Sequence, residues 1–113
     1  MSLTVNLHSL QNITSFAGVS SIKVNATEGQ ITILPKHGKL ITKIYCNIIN
    51  IQAEQSYAFF LGLALLQVEN NIVHISTDLA VDLNNIKSIE AYKAHIKSDY
   101  LNKLEIILNH AKK

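Results

Sequence analysis

Five histidines, eight carboxylates and one cysteine are the side chains of this 113-residue chain equipped for chemistry. His8, His37, His74, His95 and His110 are scattered, and none stands in metal-ligand spacing with a cysteine or a carboxylate. Glu28, Glu54, Glu69, Asp78, Asp82, Glu90, Asp99 and Glu105 are equally dispersed, so no spacing marks a paired general acid and base. There is no glycine-rich phosphate loop and no Gly-x-Ser-x-Gly elbow. Cys46 lies in an apolar run with Ile44, Ile48 and Ile49, where nothing close by would lower its pKa. A lone thiol cannot close an internal disulfide, and a buried, inert cysteine fits a reducing cytoplasm. The expectation is a protein with no catalytic residues, no cofactor and no metal.

Charge narrows the partners. Net charge is +2, and every basic residue apart from histidine is a lysine. Without arginine there are no bidentate guanidinium clamps and no arginine–guanine contacts. The lysines form no patch, so nucleic acid is not an expected partner. The longest apolar run, Tyr57 to Leu66, is too short to cross a bilayer, and the N-terminus lacks the pattern of a signal or transit peptide. A soluble protein without a transmembrane segment is expected.

Most of the chain has the period of two that marks half-buried strands. Leu3, Val5 and Leu7 alternate with Thr4, Asn6 and His8; Ile22 with Val24, Ile31 with Ile33, and Ile44 with Cys46 and Ile48 continue the pattern. Val73, Ile75 and Thr77 form a last strand after Glu69-Asn70-Asn71, whose paired asparagines tolerate positive φ in a hairpin. Tyr57 to Leu66 is apolar on both faces, as a central strand would be, with helix the competing reading. Gly18, Gly29 and Gly38 fall at expected turns, and Pro35 ends the strand Ile31 to Leu34.

After about Val81 the period changes. Ile89, Tyr92, Ile96, Tyr100, Leu104, Ile107 and Ala111 recur at steps of three and four, which is one face of a helix. The reading is therefore mainly β with a C-terminal α segment. An antiparallel β-sandwich or flattened barrel over 1–83 is followed over 84–113 by one helix or a short helical hairpin.

One run of motifs resembles a known family. Phe16-Ala17-Gly18, then Glu28-Gly29, Ile33-Leu34-Pro35, His37 and Leu40-Ile41-Thr42 are similar in order and spacing to the epsilon subunit of F-type ATP synthases. A second match runs from Leu66-Gln67-Val68 to Asp78-Leu79-Ala80. The family's Lys-Pro-Gly near Tyr45-Cys46-Asn47 and its Gly-Gly near Leu63-Ala64 are missing, which suggests a divergent member with altered turns.

The resemblance implies a non-catalytic central-stalk (rotor) subunit of a proton-translocating enzyme, coupling rotation of the c ring and the gamma subunit to ATP synthesis. It would sit peripherally on the cytoplasmic face of a bacterial inner membrane. Glu28, Gly29, Gln30 and Lys36 become candidates for the c-ring side, and His37 for the neighbourhood of gamma; the C-terminal helix could reach the alpha and beta subunits. The ATP-sensing motif of relatives, Ile/Leu-Asp-x-x-Arg-Ala, corresponds to Ile86-Lys87-Ser88-Ile89-Glu90-Ala91, where both charged positions are changed. Reduced or absent ATP sensing follows. The alternative, from the residues alone, is a free-standing β-sandwich adaptor that binds a small ligand or peptide.

Overall fold

A computed structural model describes residues 2–10, 12–26, 29–85, 100, 102, 103, 105 and 106. The strands are β1 (Leu3–His8), β2 (Ile13–Val19), β3 (Ser21–Ala26), β4 (Gly29–Ile33), β5 (Leu40–Gln52), β6 (Ser56–Glu69), β7 (Ile72–Thr77) and β8 (Ala80–Asp82). Tyr57 to Leu66 is strand, and the helical alternative falls away. Of the helical segment expected over 84–113, Asn84 and Asn85 are described and not helical, and Tyr100, Asn102, Lys103, Glu105 and Ile106 have helical backbone; the rest lies outside the described residues.

Seven of the eight strands follow one hydrogen-bonded path, β2-β1-β7-β6-β5-β3-β4, and β8 pairs with β6 off that path. That path has two edges, β2 and β4, so the fold is a sandwich-like open sheet and not a closed barrel. The antiparallel expectation fails at one place: β1 and β7 run parallel, from Thr4↔Ile72 to His8↔Ser76. Neighbours in sequence can be joined by tight hairpins and so pair antiparallel, whereas β1 and β7 have the rest of the sheet between them and are free to run either way.

Alternation explains how the sheet closes on itself. Leu3, Val5, Leu7, Ile22, Val24, Ile33, Ile44, Ile49, Leu61, Leu66 and Ile75 point to one side and meet in a single buried cluster. Burying that continuous apolar face drives the fold, at about 1.5–3 kcal/mol for each large side chain.

The long hairpin β5–β6 carries an irregularity that alternation does not foresee. Its register is constant from Leu40↔Val68 to Gln52↔Ser56, but the ladder skips Cys46 and its opposite residue Gly62. Cys46 has a φ of +48°. The inward face is therefore Thr42 and Ile44 before the gap but Ile49 and Ile51 after it. Cys46 and Ile48 do not continue the face of Ile44 as read from sequence. Cys46 instead packs with Phe60 and Val81 in a second, smaller cluster.

Two further backbone features matter. Asn70 and Asn71 take φ values of +54° and +63° in the β6–β7 hairpin, the left-handed pair expected of them. Gly18, with φ +64°, sits inside β2 where the pairing with β1 shifts register, so it makes a β-bulge and not a turn.

Candidate partner interface

Three surfaces bring polar or apolar groups together. The first is the pole of the sandwich where β4 ends. Pro35 and Lys36 form a turn closed by His37 N–H donating to Leu34 O at 3.1 Å. Lys36, with φ +67°, turns its N–H onto Asn71 Oδ1 at 2.6 Å, which fastens this turn to the β6–β7 hairpin. His37 Nδ1 donates to Gly38 O at 2.9 Å, a contact that places a proton on Nδ1. Lys39 Nζ pairs with Glu69 Oε1 at 3.2 Å, but both are exposed and such a pair contributes little.

The second surface is the outer face of β5 and β6. Tyr45↔Leu63 and Lys43↔Leu65 are cross-strand pairs pointing away from the main core, with Ile41 one step further. Ile41 is 69% exposed, Leu63 55% and Tyr45 49%. Leu10, Lys43, Leu63 and Leu65 border a shallow depression of about 550 Å³, which Ser76 and Asp78 complete. Scattered apolar residues on a surface need no explanation, whereas a contiguous group signals a contact surface. On β1 and β7, His8 and His74 stand with ring centroids 6.3 Å apart.

The third surface adjoins the second. Tyr100 lies against Gly62, where an added Cβ would come within 2.6 Å of its Cε2 and 2.5 Å of Asp78 Oδ1. The Tyr100 hydroxyl donates to Asp78 Oδ2 at 2.8 Å. The other oxygen, Asp78 Oδ1, accepts the Leu63 N–H at 3.0 Å, so one carboxylate ties this tyrosine to the backbone of β6. Burial first, and then the Asp78 hydrogen bond, pushes the Tyr100 phenol up to about 12. Tyr45 meets the same ring edge-on, with centroids 6.3 Å apart. Below it lie Cys46, Phe60 and Val81.

The residues singled out in the sequence fall at both ends of β4. Gly29, with φ +128°, and Gln30 are exposed at its start, opposite Ala26 and Asn25. Lys36 and His37 lie past its other end, and a five-residue strand separates the pairs by about 17 Å. Glu28 lies outside the described residues. A single partner touching all of them must run the length of this edge strand. Gly62, Asp78 and Tyr100 were not singled out as a group. The signal for the first was a lone glycine inside an otherwise apolar strand, a mark of close backbone approach. Among the described residues, no group of three or more histidine, cysteine or carboxylate side chains is placed to hold a metal. No described helix is long and apolar enough to cross a membrane.

Comparison with known proteins follows from this geometry. Residues 2–83 match the family described as the ATP synthase Delta/Epsilon chain, beta-sandwich domain. Among solved structures, the chain is similar to one in the central stalk and c ring of the Tetrahymena thermophila mitochondrial ATP synthase. That pair has a TM-score of 0.67 at 16% identity, over 86% of this chain and 78% of the other. It is also similar to a chain in the OSCP/F1/c-ring assembly of the Euglena gracilis mitochondrial enzyme. There the TM-score is 0.67 at 19% identity, over 95% of this chain and 75% of that one. At these identities the structural likeness speaks for the fold.

Proposed function

From the premise that this chain belongs to the ATP synthase delta/epsilon family, we propose that it is a non-catalytic, epsilon-type subunit of the central stalk, coupling rotation of the c ring to the catalytic head. The observation that carries the reading is the exposed apolar strip Ile41, Tyr45, Leu63 and Leu65 on a closely packed sandwich. A packed interior is hardly compressible, so such a body passes on torque without deforming. The strip covers the gamma subunit in this reading, and one pole meets the c ring.

The adaptor alternative needs an apolar cavity inside the sandwich and no apolar face outside. An apolar depression on the outer surface, beside a packed core, supports the stalk reading. The two solved structures named above are mitochondrial, so they lend nothing to the bacterial membrane expected from sequence. A peripheral position beneath the membrane sector is kept.

Nucleotide sensing is reduced or absent in this proposal. Lys87 and Glu90 replace the acid and the arginine of the sensing motif, and the chain has no arginine elsewhere. Micromolar ATP binding by isothermal titration would contradict that point. The subunit reading is tested with purified gamma. Binding is expected, and Leu63→Glu with Leu65→Glu should abolish it while the circular dichroism of the sandwich persists. Binding unaffected by the double variant would move the interface elsewhere; no binding at micromolar concentrations would remove the reading.

A further inference from the structure

The two edges of the sheet are protected differently. β4 is five residues long and ends just before Pro35, devices that discourage further pairing. β2 is seven residues long, pairs only with β1 among the described residues, and is exposed along most of its length. No lysine, aspartate or glutamate occurs before Lys23, so β2 carries no charged side chain of its own. Its one irregularity, the Gly18 bulge, lies at its far end and leaves Ile13 to Ala17 open to pairing.

What lies beside that edge is specific. Two grooves flank Phe16, whose ring packs on Tyr57 at 4.8 Å and on Phe59 at 5.8 Å. One groove, of about 310 Å³, runs past Thr14 and Phe16 to Asp82. The other, of about 240 Å³, runs past Ala17 and Tyr57 to Glu54. Among the described residues, each groove is lined by one carboxylate and by no basic side chain. Asp82 stands opposite Phe59 in the β6–β8 pair, so the two side chains share a face, and its Oδ1 accepts the Asn84 N–H at 2.9 Å.

We propose that β2 is a docking edge for an extended partner segment with basic side chains on its inward face, on either side of an apolar one. A strand added to β2 would satisfy the backbone groups of the edge. Side chains two positions apart on that strand share a face, so its inward residues would enter the grooves in turn. The apolar one would lie against Phe16 and Tyr57, and the cations would approach Asp82 and Glu54.

The probe is an N-acetylated peptide of the length of β2, threonine at alternate positions with lysine, valine and lysine between. Added to the whole chain, it should shift the backbone amide resonances of Ile13 to Ala17 saturably. Asp82→Asn, which retains an oxygen for the Asn84 N–H, and Glu54→Gln should each weaken binding roughly two- to five-fold. A peptide with glutamates for the lysines should bind at least about ten-fold more weakly, and the gap should narrow as salt is added. Should Asp82→Asn misfold, Glu54→Gln in its exposed turn carries the test. Equal binding of the lysine and glutamate peptides would overturn the proposal, as would undiminished binding of a peptide N-methylated along its pairing edge. Sedimentation of the peptide-free chain as a dimer with protected β2 amides would make a second copy the occupant, and would overturn it too.

Discussion

The main core buries a hydroxyl and the small cluster under Tyr100 half-covers one, and they handle it in opposite ways. In the core, Thr42 points inward from β5 and its Oγ1 has no hydrogen-bond partner among the described residues. In the small cluster, the Tyr100 hydroxyl is held by Asp78. The core draws on strands from across the sheet, so the cost of one unpaired hydroxyl is spread over many apolar contacts. The small cluster has three buried members among the described residues, and a glycine contact and a hydrogen bond hold Tyr100 over it. One region is robust because it is redundant; the other is specific because it is not.

If that contrast holds, substitutions should separate the two regions by size and by readout. The largest effect belongs to the core. Leu61→Ala should lower global stability by about 2–5 kcal/mol in urea unfolding, with the whole sheet lost in one transition. Gly62→Ala comes next, at about 1–3 kcal/mol, because the new methyl group meets both Asp78 and Tyr100. Here the expected response is departure of Tyr100 from its place with the sheet intact, seen as loss of the Tyr45–Tyr100 cross-peaks. A urea midpoint shifted as far as that of Leu61→Ala would erase the distinction between the regions.

Tyr100→Phe should cost about 1 kcal/mol, the net contribution of one hydrogen bond. A pH titration sharpens this. The Tyr100 phenol is raised from 10.0 to about 12, so folding favours its protonated form. The stabilisation is thus complete below about pH 10 and is lost as pH rises through about 12. Of the four tyrosines, Tyr100 should ionise late by ultraviolet absorbance, and the late step should vanish in Tyr100→Phe. The smallest effect should also have the opposite sign. Thr42→Val removes a buried hydroxyl with no hydrogen-bond partner among the described residues, and stability should hold or rise by up to about 1 kcal/mol. A clear loss would mean that Thr42 has a partner, a bound water for instance.

What could be read from sequence was whatever depended on neighbours in the chain. Leu3, Val5 and Leu7, or Val73 and Ile75, announce their strands because alternation is local, and Asn70-Asn71 announces its turn for the same reason. β2 went unread: six of its seven residues are exposed or half-buried, so Ile13 to Gly18 show no alternation of polarity to detect. Cys46 is buried as read, but its alternation with Ile44 and Ile48 breaks at the one residue of β5 with positive φ. The place of Tyr100 was out of reach altogether. Tyrosine in a helical stripe, glycine in an apolar strand and aspartate in a short motif are each unremarkable, and only the folded sheet sets them together.

The parallel pairing of β1 with β7 bears on the order of events during synthesis. Strand β1 emerges first, yet its partner on one side is completed only at Thr77. Until then the hairpin β1–β2 has half of its hydrogen bonds and nothing to cover Leu3, Val5 and Leu7. Hairpins β3–β4 and β5–β6 can close from local contacts within microseconds of leaving the ribosome, while the loop joining β1 to β7 closes later and at greater entropic cost. The expected order is therefore from the middle of the sheet outwards, with β1, made before the other seven strands, among the last to be locked in place.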